Sequence, residues 1–334
     1  MKATDYAGTN ALIRVYETRL LRNEQFETML QASSFEEAVN VLKDSSYRQD
    51  VEKIKENKDY ELLIDNEMQR TFKELFEISP EPRLIEFFSL RYSYHNLKIL
   101  LKAKLVGENF DYLLLDIGKE PLSALRHVVE TGKSEVLHPI IIEALENALD
   151  YYEEYHNIQA IDIILDRFYF RHIKVLSLEL KEPKIIELAN LFIDFNNLSI
   201  LCRAIDQKQT RNFLHAVLSS SGEVSKATLI ELASEDLGSL SKKLMKLPYK
   251  TIIQAATNSE TRLISPIKIE LETDNSLMKF FQMAKFEVFG PMPILAYLYA
   301  KQTEVRNLRL ILVGKKNQIP QDSLRERMRL NYGA

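Results

Sequence analysis

Turn residues are scarce in this chain. Nine glycines and ten prolines among 334 residues are too few for a fold of many short strands, each of which needs a tight turn. What is abundant instead (Leu, Ile, Glu, Lys and Ala) is the composition of helices. A single cysteine, Cys202, excludes a disulfide within the chain. It follows the apolar run from Leu198 to Leu201, and nothing there would stabilise a thiolate, so it reads as a buried structural thiol. The chain has no uncharged run of about 18 residues, the length a membrane span needs. Its N-terminal stretch is interrupted by Asp5, Arg14, Glu17 and Arg19. Neither a signal sequence nor a span is expected, and the chain reads as intracellular. Charge of one sign is not in excess: the net charge is −4 with 28% charged residues, which gives no ground for nucleic acid or anionic lipid as a partner.

Apolar residues recur at helical spacing almost throughout. Leu62, Ile64, Met68, Phe72, Leu75 and Phe76 are one such stripe, and Leu84, Phe87, Phe88, Tyr94 and Leu97 are another. The pattern predicts an all-α protein of about fifteen helices. One stretch departs from it. From Leu263 to Glu272 the apolar residues approach a period of two around Pro266, which predicts a short extended loop ahead of a helix.

An internal repeat organises the chain. Segments of similar pattern begin at Pro82, Pro183 and Pro293, offset by 101 and then 110 residues. An Asn-Leu pair recurs in register within them as Asn96-Leu97, Asn197-Leu198 and Asn307-Leu308. A second shared pattern follows each copy, at Gly118 to Leu125, Gly222 to Leu229 and Asn317 to Leu324. Its first residue suits a left-handed break, and the Pro or Ser three positions on suits a helix start. Leu30, Phe35, Leu42 and Tyr47 are echoed by Leu232, Leu237, Leu244 and Tyr249 at an offset of 202. Three similar helical bundles are therefore expected, at 1–108, 109–209 and 210–334, arranged with approximate threefold symmetry. The repeated asparagines are expected to be structural, each amide satisfied by a neighbouring helix end or loop.

Candidate chemistry is thin. Thr131-Gly132-Lys133-Ser134 contains the end of a phosphate-binding loop, but His127 stands where the earlier glycine is needed, so no nest of backbone amides is expected. Two Glu-x-x-His pairs occur, Glu135 with His138 and Glu153 with His156. Pro139 spoils the first, and a di-iron centre needs two good pairs with further carboxylates. His95, His127, His172 and His215 are scattered without zinc-site spacing. No catalytic residue, cofactor site or metal site is assigned.

The C-terminal stretch PILAYLYAKQTEVRNLRLILVGKKNQIPQDSLRERM, from Pro293 to Met328, resembles the signature of the bacterial and archaeal V-type ATPase C subunit, a family homologous to the eukaryotic d subunit. Tyr6, Asn10-Ala11, Arg14, Leu20-Leu21 and the short helix ending at Tyr47 are similar to its N-terminal part. The resemblance implies a funnel of three helical bundles seated on the rotor ring of membrane proteolipids, its mouth receiving the D and F shaft subunits. Such a protein transmits torque between ATP hydrolysis or synthesis and translocation of H+ or Na+, and has no active site. It would be cytoplasmic and peripheral to the membrane through the ring. Lys301, Glu304, Arg306, Arg309, Lys315 and Lys316 on the basic C-terminal helix are the candidates for shaft or ring contact, with packing between bundles as the other role for Arg306 and Arg309. The competing readings are a soluble helical-repeat scaffold outside any ATPase, and a metal-dependent helical enzyme built on Glu153 and His156.

Overall fold

The computed structural model describes residues 2–55, 59–233 and 236–333, and among them it is all-α. Seventeen α-helices and four 3-10 turns follow one another among the described residues. The extended pairing among these residues is one isolated bridge, Thr257 with Ile264. The chain forms two compact units, Met1–Ile85 with Asp274–Ala334, and Glu86–Thr273. The first begins with α1 (Ala7–Glu17), α2 (Asn23–Gln31), α3 (Phe35–Asn40), α4 (Arg48–Lys55) and α5 (Tyr60–Ile78). α6 (Arg83–Val106) carries the chain into the second unit, which holds α7 (Leu122–Thr131), α8 (Pro139–Tyr155), α9 (Ile158–Leu180), α10 (Pro183–Asp206), α11 (Arg211–Val217), α12 (Lys226–Leu232), α13 (Leu237–Leu244) and α14 (Lys250–Ala256). α15 (Pro266–Gln282) returns it to the first, which ends with α16 (Met292–Lys316) and α17 (Gln321–Arg325).

The extended loop expected around Pro266 is shorter than the alternation suggested. Only the segment up to Ser265 is extended, and Pro266 itself opens α15. A proline in the first turn forfeits an N–H that has no partner there anyway.

The three long helices α6, α10 and α16 share their boundaries. Pro82 immediately precedes α6, Pro183 opens α10 and Pro293 is the second residue of α16. Each ends on a left-handed residue at the same repeat position: Gly107 at φ 77°, Lys208 at φ 55° and Gln318 at φ 56°. The next N–H turns back to the carbonyl five residues earlier, Glu108 to Ala103 at 3.2 Å, Gln209 to Ala204 at 2.8 Å and Ile319 to Gly314 at 2.8 Å. This is the Schellman closure, which satisfies the last carbonyls of a helix. Only the first copy uses glycine for it, and a side chain in that conformation costs about 1 kcal/mol or more.

The second repeated pattern holds at its helix starts, where Pro121, Ser225 and Pro320 are the N-caps of α7, α12 and α17, but its left-handed break does not recur, since Asn317 stands at φ −101°. Asn317 is the C-cap of α16 and the segment to Leu324 contains the start of α17, and in register α17 matches α11, not the helices that start after Gly118 and Gly222. Gly222 is not left-handed either. It is required because a Cβ there would collide with the Asp194 carboxylate.

α16 is the core of the first unit, where it packs on α1, α3 and α5; in the second, α10 packs on α9 and α13. From Met292 to Val305 every residue of α16 is buried, which is why its sequence carries no amphipathic stripe. α10 is long and apolar enough to cross a membrane, but 56% of its apolar window is buried inside the protein. Asp194 and Asn197 on it bond to nearby backbone.

Candidate functional site

The repeated asparagines do one thing three times. Asn96 Nδ2 donates to the Leu115 carbonyl at 2.7 Å, while the Leu115 N–H donates to its Oδ1 at 2.9 Å. Asn197 bonds Ser219 in the same two directions, at 2.9 Å each. Asn307 holds Arg329 likewise, again at 2.9 Å each. A primary amide matches one residue's N–H and C=O at once. Each long helix thus pins the chain returning to it 19 or 22 residues later. The amides are themselves buried, so their loss would strand polar groups on both sides.

Three residues before each asparagine stand Ser93, Asp194 and Glu304. Asp194 accepts a hydrogen bond from the Tyr249 hydroxyl at 2.6 Å and another from the Val224 N–H at 3.1 Å. Glu304 accepts from the Tyr47 hydroxyl at 2.8 Å and from the Leu21 N–H. Tyr47 and Tyr249 are the residues that echo each other at an offset of 202. The same tyrosine–carboxylate bond therefore spans 55 residues in the second unit and 257 in the first. In the first it joins the C-terminal helix to the N-terminal helices. Ser93 has no carboxylate of its own and bonds to Glu120. These positions share the repeat offsets, but the change of side chain from Ser to Asp to Glu hides the relation in the sequence.

Around Glu304 the first unit adds charge. Lys301 Nζ lies 2.7 Å from Glu304 and 2.6 Å from Glu67, donates to Ser46 at 3.1 Å and sits over the Tyr47 ring at 4.8 Å. Glu67 in turn accepts from Arg70 at 2.8 Å, and Arg70 bonds Asp50 at 2.8 Å. Lys301, Glu304, Glu67, Asp50 and Tyr47 are all buried. Burial alone would push the Lys301 ammonium down, but the two carboxylates beside it hold it above its ordinary value. Burial would likewise raise Glu67, and Lys301 brings it below the usual carboxylate range. Asp194, with no cation against it among the described residues, is raised by burial.

The residues expected at a contact differ in exposure. Lys301 and Glu304 are 1% and 3% exposed, since they lie on the face of α16 turned to α5 and Tyr47. Arg306 bonds Asp274 at 2.8 Å, which Arg329 also reaches at 2.7 Å. Arg309 forks onto Glu61 at 2.8–3.1 Å. Lys315 donates to the Leu30 and Ala32 carbonyls at 2.6 Å each, capping the end of α2. Lys316 is exposed, with its ammonium 5.6 Å from the Tyr60 ring centre.

Gly132 is the left-handed cap that ends α7, so the Gly-Lys-Ser segment lies at a helix C-terminus, where the dipole repels phosphate. His138 caps α8 by accepting from the Ile140 N–H. His156 is left-handed just past the same helix, so the pair with Glu153 expected on a helix is not helical, and both residues are exposed. No cluster of three His, Cys, Asp or Glu suited to a metal occurs among the described residues. Cys202 is fully buried, and burial pushes its thiol up to about 12. His172 is buried against Tyr94, whose hydroxyl is 3.3 Å from Nδ1. Burial, with His138 and Lys119 nearby, lowers it to about 3.

The profile of the family described as ATP synthase (C/AC39) subunit matches residues 9–327. The chain is 32% identical over 328 residues to the C subunit of the V-type sodium ATPase of Enterococcus hirae, covering 98% of this chain and 99% of that one. It is 26% identical to the C subunit of the A-type ATP synthase of Methanocaldococcus jannaschii, over 96% of this chain and 85% of the relative. With the protein of the same description from Pyrococcus abyssi it shares 23% identity, over 97% and 90% of the two chains. The chain belongs to the ATP synthase (C/AC39) subunit family, whose relatives are the C subunits of V- and A-type ATPases.

Proposed function

We propose that this chain is the non-catalytic central-stalk component that couples the D and F shaft of a V-type ATPase to its membrane proteolipid ring. In this reading it is cytoplasmic, reaches the membrane only through the ring, and passes torque by shape and contact. Its sequence copies at 1–108, 109–209 and 210–334 are the repeated units of a body with approximate threefold symmetry. The observation that carries the reading is the match to the C subunit of a V-type sodium ATPase along essentially the full length of both chains.

The polar chemistry supports the same reading from another side. The asparagines, the tyrosine–carboxylate pairs and the Lys301 cluster all tie helices to one another. A part that carries torque needs such stiffness. Of the residues nominated for contact, Lys316 is proposed to face a partner.

The test is recovery of the tagged chain from its native membranes with identification of what co-purifies. A proteolipid ring together with D and F subunits is the expected result. Recovery alone, or with unrelated soluble proteins, would contradict the proposal and restore the scaffold reading.

A further inference from the structure

The segment between α15 and α16 breaks the repeat. The helices that precede the other two long helices, α5 and α9, run to Ile78 and Leu180, almost to the proline. There they bury Phe72 and Leu75 in one copy, and Ile173 and Leu176 in the other. The same register in the third copy, at offsets of 211 and 110, falls on Met283 and Phe286. α15 stops at Gln282, a 3-10 turn follows at Met283–Phe286, and these two side chains are 65% and 83% exposed. Val288 and Phe289 beside them are 66% and 51% exposed.

This loop is held from beneath. Asn10 Nδ2 donates to the Val288 and Gly290 carbonyls, each at 3.0 Å. One guanidinium nitrogen of Arg14 donates to the Ala284 and Glu287 carbonyls at 2.8 and 2.9 Å. The Gly290 N–H donates to the Ala3 carbonyl at 2.9 Å. The N-terminal segment, chiefly α1, thus fixes the backbone through five bonds and leaves the apolar side chains outward. A fixed loop loses little entropy when it docks.

We infer that Met283, Phe286, Val288 and Phe289 form a preorganised apolar knob that inserts into an uncharged groove between helices of a partner protein present once per complex, which in the reading above is the D/F shaft. The inference rests on that reading. Residues 283–290 hold one lysine and one glutamate, a neutral balance that favours an apolar protein groove over an anionic lipid surface. The exposed side chains offer roughly 400–500 Å² of apolar surface, taking 150–250 Å² for each aromatic. That is about half of what one partner contributes to a standard interface, enough for its buried centre and not for the whole. The knob occurs in one repeat copy of three, as suits a single-copy shaft. A ring of identical subunits would offer its groove many times, with no unique seat for one knob.

The experiment is a titration of the full-length chain against the purified D/F pair of its own ATPase, comparing wild type with Phe286→Ser/Phe289→Ser. Both positions are exposed, so thermal melting is expected to be unchanged, and it serves as the folding control. The expected result is a dissociation constant raised about 30-fold or more, as loss of central aromatic anchors gives. Wild-type binding matched by the variant would overturn the knob while leaving the stalk reading intact. Failure of the wild type to bind D/F would remove the stalk reading and the inference with it. If the double substitution instead weakens binding to the isolated ring, or to phosphatidylcholine vesicles, the assigned partner is wrong.

Discussion

Glu304 and Asp194 occupy one repeat position in two compact units, three residues before a clamping asparagine, and each takes a tyrosine hydroxyl. Their surroundings diverge. Glu304 sits in a buried ion cluster with Lys301 and Glu67, whereas among the described residues Asp194 is served by hydroxyl and N–H donors, with Gly222 pressed against it. The version paired with a lysine stands where helices from the two ends of the chain must be joined, and the hydrogen-bonded one where the partners are near in sequence. Charge in a core is a poor source of net stability, and in some proteins it serves to fix a particular pairing. We propose that Lys301 specifies how α16 meets α5.

The largest expected effect breaks that comparison at its charged end. Lys301→Met leaves the buried Glu304 without its cation and Glu67 with Arg70 alone, and should cost about 3–5 kcal/mol in urea unfolding. Asp194→Asn keeps an acceptor for the same donors and should cost less than about 1.5 kcal/mol. Equal losses would mean that the two sites are energetically alike after all. Next come the amide clamps. Asn→Leu at 96, 197 or 307 leaves a backbone N–H and C=O without their partner and should cost about 2–4 kcal/mol each. Asn197, whose two bonds are both buried, should suffer most.

Acid separates the units in another way. His172 in the second unit titrates near 3 when folded and near 6.5 unfolded, so the unfolded chain binds the extra proton. Its contribution is intact above pH 6.5 and erodes as pH falls toward 3, reaching a loss of about 2 kcal/mol at pH 5. His172→Leu should flatten that part of the stability–pH curve. The smallest effect belongs to the surface: Lys316→Glu should leave stability within about 0.5 kcal/mol while weakening assembly with the shaft or ring. Lys315→Glu removes the cap on α2 and places a carboxylate at a helix C-terminus, which should cost about 1 kcal/mol or more. A double reversal at both lysines would confound the two effects.

Much of this was legible in the sequence where one residue type repeats. Helical content followed from the apolar period, and Pro82, Pro183 and Pro293 mark the starts of three long helices because proline is tolerated only there. The asparagines were visible for the same reason, although their partners, beyond the end of each helix, were not. Lys301 and Glu304 misled because a Lys-x-x-Glu pair on a basic helix looks solvated. Burial of α16 on all sides depends on N-terminal helices more than two hundred residues away. The apolar loop at 283–289 was hidden because its residues are ordinary core types in core register, and only the early end of α15 turns them outward.

Coupling tests the central claim most directly. ATP hydrolysis and ion uptake would be measured in vesicles carrying the ATPase stripped of this chain, and again after the chain is added back. The expected result is hydrolysis without ion transport in its absence and restored transport on addition. Ion transport that persists without the chain would contradict its proposed role as the link between shaft and ring.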